Sequence, residues 1–115
     1  MPKTVGENIA RYGMLLDVYG ALLSDSGRQV MHLYYNEDLS LAEIAAERKM
    51  SRQAVSGALA KQRRLLNGFE AALTLMQKES DMKSGLDKVS QLLKHGRLPE
   101  ARQEVNRLRR ALAGD

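Results

Sequence analysis

The stretch that decides the fold is residues 39–66, LSLAEIAAERKMSRQAVSGALAKQRRLL. Ser40 is followed three residues later by Glu43, a spacing typical of a capping box at the start of a helix. Ser51 offers a second helix start after a short turn, and apolar residues recur at helical spacing in both halves. The pattern predicts a helix-turn-helix, in which a second helix is presented to a groove of nucleic acid. Its inward residues are predicted to be Ile44, Ala45, Val55 and Leu59.

The rest of the chain also predicts helices. Amphipathic stripes indicate a first helix over about residues 7–23 and a short second one over about 27–35. No proline follows Ser51 in the second motif helix, and its apolar stripe continues to about residue 79. Two further helices, about 86–94 and 98 to the end, are separated by Gly96 and Pro99. We therefore predict an all-α fold: a helix-turn-helix head of four helices, with a long fourth helix and a C-terminal helical hairpin.

This interpretation divides the 115 residues into two domains. Residues 1–79 form the helix-turn-helix domain with its extended last helix, and residues 80–115 form the hairpin packing on it. The extended helix carries more apolar side chains than water would tolerate. They are covered either by the first helix or the hairpin, or by a second copy across a two-fold axis, and the sequence slightly favours the homodimer. These side chains are Leu65, Leu66, Phe69, Leu73 and Met76.

The composition indicates the cellular compartment in which the protein is expected. The chain has no cysteine, which excludes disulfides and thiolate metal sites and agrees with a reducing environment. The N-terminal residues lack a long apolar core followed by a cleavage site, and no apolar run is long enough for a bilayer. We expect a soluble cytoplasmic protein with no signal peptide and no membrane insertion.

The sequence offers no set of catalytic residues. His32 and His95 lie far apart, and neither has metal-ligand spacing to another donor. Adjacent acids at Glu37 and Asp38 fall in a predicted polar turn, and no glycine-rich phosphate loop occurs. We predict surface histidines, no cofactor, no metal site and no enzymatic activity.

Charge is unevenly distributed along the chain, whose net charge is +4. Acids outnumber bases before residue 48, whereas residues 48–69 contain six cations and no acid. Such a run is usually a solvated helix face, but its coincidence with the second motif helix favours contact with phosphates. The candidate nucleic-acid-binding residues are Ser51, Arg52, Gln53, Ser56, Lys61, Arg63 and Arg64.

The start of the second motif helix determines which bases could be read. Arg52 has the donors for guanine and Gln53 those for adenine, although both could equally lie in solvent over the helix N-terminus. Ser56 is short, and Gly57 and Ala60 bring almost no functional group. The pattern predicts weak sequence specificity, with the three cations further along the helix contacting backbone phosphates.

Residues 22–55, LLSDSGRQVMHLYYNEDLSLAEIAAERKMSRQAV, resemble the YlxM family. This is a family of small bacterial proteins with a helix-turn-helix similar to the last DNA-binding region of sigma factors. The match is carried by RQ at 28–29, LYY at 33–35, DLSLAEIA at 38–45 and SRQAV at 51–55, and it covers roughly residues 16–73. The resemblance implies a DNA-binding or regulatory role associated with the signal recognition particle pathway.

These observations predict a non-catalytic nucleic-acid-binding regulatory or accessory protein that modulates the signal recognition particle pathway. Its partners would be duplex DNA or structured RNA, together with components of the particle. Two alternatives remain. One is a protein–protein interaction module without functional DNA binding. The other is a sequence-specific transcription regulator, against which the poor base-reading face counts.

Overall fold

A computed structural model describes residues 7–114, which form α-helices, one short 3-10 helix and no strand. The predicted all-α fold is confirmed. The residues outside this range, 1–6 and 115, include the outer ends of both predicted domains and part of the stretch used to argue against a signal peptide. The helices are α1 (Glu7–Tyr19), α2 (Asp25–Tyr35), α3 (Leu41–Arg48), α4 (Arg52–Leu73), α5 (Leu75–Lys94) and α6 (Leu98–Leu112), and the 3-10 helix is Gly20–Leu22.

The chain separates into two compact units, the head (Met1–Met76) and the hairpin (Gln77–Asp115). In the head, α4 contacts α1, α2 and α3. No helix within residues 7–114 is both long enough and apolar enough to cross a membrane. The buried core of the head includes the four predicted inward residues of the motif, which confirms its register. Its members are Leu15, Leu16, Tyr19, Leu23, Val30, Met31, Ile44, Ala45, Val55, Leu59 and Leu66.

Serine side chains start three helices of the head. Ser40 Oγ accepts from the Glu43 amide at 3.1 Å while the Glu43 carboxylate accepts from the Ser40 amide at 2.9 Å, so the predicted capping box is confirmed. Ser51 Oγ caps α4 in the predicted position. Ser24 accepts from the amide of residue 27 at 3.1 Å, which starts α2 earlier than predicted.

The end of the fourth helix differs from the prediction. Helix α4 ends at Leu73 rather than near residue 79, and α5 begins at Leu75 rather than near residue 86. Between them Thr74 takes a left-handed conformation with φ 53°, and its amide donates to the Glu70 carbonyl at 2.8 Å. A helix end of this kind is usually marked by glycine, and a β-branched residue rarely adopts the left-handed conformation. The sequence around Thr74 therefore gave no sign of the break.

Two side chains of the head satisfy the first amides of α5. The Tyr19 hydroxyl accepts from the Leu75 amide at 2.9 Å and donates to the Glu70 carboxylate at 2.5 Å. The same carboxylate oxygen accepts from the Met76 amide at 2.9 Å. Burial of the phenol, and then its bond to Glu70, raise the pKa of Tyr19, so it remains a protonated donor. The break after α4 is therefore stabilised by Glu70 at the end of the same helix and by Tyr19, which is distant in sequence.

Part of the predicted apolar arm is covered within the same chain. Leu66 is fully buried, and Phe69 packs on Tyr19 of α1 with ring centroids 5.9 Å apart. Leu65 and Leu73 remain 40% and 46% exposed. The first helix therefore covers the buried members of the arm, which was one of the alternatives drawn from the sequence. The homodimer stays a prediction.

The hairpin contains α5 from Gln77 onward and α6, which run antiparallel. The left-handed Gly96 (φ 70°) lies between them and a proline lies in the first turn of α6, as predicted. Gly85 lies buried inside α5, although the sequence predicted a helix that begins only at about residue 86. A Cβ there would come within 2.3 Å of Leu108 Cδ2, so the glycine makes room for that leucine.

Candidate nucleic-acid interface

The corner between α3 and α4 has the geometry of a helix-turn-helix. Lys49 takes the left-handed conformation at φ 56°, and the Met50 amide donates to the Ala45 carbonyl at 2.9 Å. The small Ala45 side chain is buried, and Val55 enters the same core from the first turns of α4. This corner fixes the direction of α4 relative to α3.

Helix α4 has one buried and one exposed side. Val55, Leu59 and Leu66 point into the head at helical spacing. With about 100° of rotation per residue, Gln53, Gly57 and Arg64 fall on the opposite side, and all three are exposed. Nothing lies within 4 Å of the Cβ position at residue 57, so the middle of this side is open and nearly featureless.

The predicted residues at the start of α4 are accessible. Arg52, Gln53 and Ser56 are exposed, and within the described part of the chain no acid pairs with Arg52. Ser51 is exposed as well, but its hydroxyl accepts from the Ala54 amide at 2.9 Å. The serine therefore acts first as a helix cap, which leaves Arg52 and Gln53 as the groups free to reach a base edge.

The cations further along α4 do not share one row. Lys61 and Arg63 are two positions apart, which places them about 200° apart around the helix. Arg63 is half-buried and donates to the Tyr35 hydroxyl at 3.1 Å, whereas Lys61 and Arg64 are exposed. Arg63 therefore joins Arg52 and Ser56 along one flank, Arg64 joins Gln53 on the outward side, and Lys61 lies on the other flank.

A tyrosine cluster that the sequence analysis did not identify borders the flank of Arg63. Tyr35 lies 5.5 Å from Tyr12 and 4.9 Å from Tyr34 between ring centroids. Asn67 of α4 donates to the Tyr12 hydroxyl at 2.9 Å. Burial raises the pKa of Tyr35, and the Arg63 guanidinium acts in the opposite direction. The adjacent tyrosines of the LYY stretch were the sequence signal that could have indicated this cluster. The cluster connects α1 and α2 to α4.

The first residue of the basic run does not belong to this surface. Arg48 donates to Gln29 Oε1 and lies 3.5 Å from Ser26 Oγ, so it is directed towards α2. It borders an open cavity of about 660 Å³ between α1, α2 and α3 that carries both signs of charge. Residues of this cavity include Asp17, Arg28, Gln29, His32, Glu47 and Arg48.

The histidines lie at the surface, as predicted. His32 bonds through its ring nitrogens to Glu37 at 3.1 Å and to Asn36 at 2.9 Å, and His95 is exposed after the end of α5. Among residues 7–114, no three His, Asp or Glu side chains are grouped closely enough to hold a metal ion.

The sequence is similar to those of known proteins. Residues 7–105 match the family described as "UPF0122: Putative helix-turn-helix protein, YlxM / p13 like". A UPF0122 protein of Clostridium kluyveri is 45% identical over 76 residues, which cover 66% of this chain and 68% of the relative. One from Clostridium perfringens is 46% identical over 72 residues, covering 63% and 64%. One from Bacillus mycoides is 40% identical over 87 residues, covering 76% and 79%.

Proposed function

Because the chain belongs to the UPF0122 family of helix-turn-helix proteins, YlxM/p13 like, which is not an enzyme family, we propose that it binds nucleic acid through α4. It acts in the cytoplasm as a non-catalytic accessory protein of the signal recognition particle pathway. The family match confirms the resemblance found in the sequence, and the link to the particle rests on that resemblance.

The observation that supports binding most directly is the charge of the exposed part of α4. Arg52, Lys61 and Arg64 extend from its first turn to its middle, all exposed, and no acid occurs between residues 48 and 69. In the described part of the chain none of the three forms an ion pair. Unpaired cations on the exposed sides of one helix can contact phosphate oxygens.

The same helix argues for contact with the backbone rather than with bases. Gly57 in the middle of the outward side and the short Ser56 beside it offer little to a base edge, which leaves Arg52 and Gln53. We therefore propose that backbone contacts dominate, as in recognition by shape. A sequence-specific regulator would need more hydrogen-bonding side chains on the outward side.

The proposal is tested by fluorescence anisotropy with two probes, a duplex DNA and the RNA of the signal recognition particle, across a range of salt. Each phosphate contact contributes about 0.9 to the log–log salt slope for duplex DNA. The variant Arg52→Ala/Lys61→Ala/Arg64→Ala should lose affinity for the preferred probe and flatten its slope. The control is Lys83→Ala, which removes an exposed cation of the hairpin. Absence of binding to either probe at low salt would refute the proposal.

A protein-interaction module is the second candidate function, and exposed leucines on α5 and α6 favour it. A chain that binds neither nucleic acid but binds the protein component of the particle would fit this alternative. The same titration, repeated with that protein, separates the two functions.

A further inference from the structure

The hairpin leaves apolar side chains in water along one face. Leu86, Leu93 and Leu98 are each more than half exposed, and Val105 is 38% exposed. On α5, Leu86 and Leu93 lie two turns apart on the side that also carries the half-buried Val89. Exposed apolar side chains grouped on one face of a small helical unit are typical of a binding surface.

Between the two helices this face forms a groove of about 470 Å³. Apolar side chains of both helices and polar side chains of α6 line it. Because α5 and α6 both contribute, the groove runs between two helices, a setting in which a third helix can pack. The residues lining it are Val89, Leu93, Leu98, Ala101, Arg102, Val105, Asn106 and Arg109.

Within residues 7–114, the acidic side chains of α6 are paired, whereas the arginines that it contributes to the groove are not. Its two glutamates are already paired: Glu100 lies 3.5 Å from Arg97, and the buried Glu104 lies 2.6 Å from Arg107. Arg102 and Arg109, which line the groove, form no ion pair in the described part of the chain. No acid lines the groove either, so the complementary charge must come from the occupant.

We propose that this groove binds an acidic amphipathic helix of a partner protein. The apolar stripe of that helix packs on Leu93, Leu98 and Val105, and its acidic flank faces Arg102 and Arg109. These arginines are seven residues apart, or about 10 Å along the helix axis. A partner helix lying alongside α6 therefore places its two acids at i and i+7, with apolar residues at i+3 and i+4 spacing.

Two other occupants fit the groove less well. A second copy of the hairpin would present the same patch across a two-fold axis and bring its arginines towards those of the first copy. RNA needs cations rather than an apolar floor, and the groove offers two arginines beside Val89, Leu93 and Val105.

The probe is a fluorescein-labelled peptide of about 18 residues with leucines at i+3 and i+4 spacing and two glutamates seven residues apart. We expect salt-sensitive binding in anisotropy titrations. Leu93→Glu, and separately Arg102→Glu/Arg109→Glu, should each weaken it by about tenfold or more. A peptide with lysines in place of the glutamates should not bind.

The control is Arg110→Glu, which makes half the charge change of the double variant, at an exposed neighbour of Arg109 that does not line the groove. Equal losses for this control and the groove variants would refute the proposal. So would a wild-type dimer in sedimentation that Leu93→Glu dissociates, or groove variants that weaken RNA binding but not peptide binding. The triple variant of α4 should leave peptide affinity unchanged, so failure of the nucleic-acid proposal remains separate. Thermal melts establish that each variant is folded.

Discussion

The head and the hairpin each contain a buried glycine against a long side chain, but the surroundings of the two differ. In the head, a Cβ at Gly27 would lie 2.4 Å from Cδ of Gln62, which is buried beneath α2. In the hairpin, a Cβ at Gly85 would lie 2.3 Å from Leu108 Cδ2. The head encloses its contact in a core from four helices. Among residues 77–114 of the hairpin, only Ala101, Leu108 and Glu104 are buried besides the glycine.

This difference shows that the same local geometry can have different energetic consequences. A crowded side chain in a filled core has nowhere to move, because interiors are close-packed. In the hairpin few other buried side chains enclose Leu108, so this leucine can change rotamer at little cost. We therefore expect substitutions in the head to cost more free energy of unfolding than comparable substitutions in the hairpin. A hairpin whose side chains can shift is suited to binding a partner.

The largest effect should follow from Ile44→Ala in the head. Ile44 is fully buried between the motif helices, so the variant should lower the free energy of unfolding by about 2–5 kcal/mol. Urea denaturation followed by circular dichroism measures this change. The matched control in the hairpin is Leu98→Ala, at a side chain that is 64% exposed. Equal losses at the two sites would contradict the contrast between the units.

The next largest effect should come from Gly27→Ala. The added methyl group meets the enclosed Gln62 amide, and overpacking of this kind costs about 1–3 kcal/mol. Gln62→Ala in the same chain should recover part of that loss, because the Oε1 atom of Gln62 has no hydrogen-bond partner in the described part of the chain. Additive losses in the double-mutant cycle would show that the two residues are not in contact.

A smaller effect is expected in the hairpin on acidification. The hydrogen bonds from Arg107 lower the pKa of the Glu104 carboxylate, and Lys88 lies 3.9 Å away. Because this pKa is lower in the folded than in the unfolded chain, the ionised Glu104 stabilises the hairpin above the ordinary pKa of glutamate, about 4.3. This stabilisation is lost as pH falls through the pKa of the folded state. Protection factors of α5 and α6 in hydrogen exchange, which correct for the pH dependence of the intrinsic rate, should fall as Glu104 is protonated. In Glu104→Gln this fall should be reduced, and an unchanged profile would contradict the prediction.

The smallest effect should be that of Gly85→Ala. Alanine favours a helix over glycine by about 0.5–1 kcal/mol. The added methyl group meets the far end of the Leu108 side chain, which can shift because few other buried side chains surround it. The two terms should cancel to within about 0.5 kcal/mol. A loss as large as that of Gly27→Ala would mean that the hairpin interface is as rigid as the head, and the comparison would fail.

Local sequence signals predicted the helix-turn-helix well. Capping by Ser40 and Ser51 depends on residues three positions away, and burial of Ile44 and Val55 follows from helical periodicity. Among the candidate site residues, the exposure of Arg52, Gln53 and Arg64 follows from the same periodicity. The partial burial of Arg63 does not, because its partner Tyr35 lies on another helix.

By itself, the sequence determined the all-α class, the motif and its register, and the basic stretch within α4, because caps and apolar spacing act over one or two turns. Only the tertiary structure decided where α4 ends, since Thr74 and the start of α5 depend on Tyr19 and Glu70 from different helices. The same holds for Gly85, which has a function in packing only because α6 brings Leu108 against it. Contacts between helices distant in the chain have no local pattern, and only the fold brings them together.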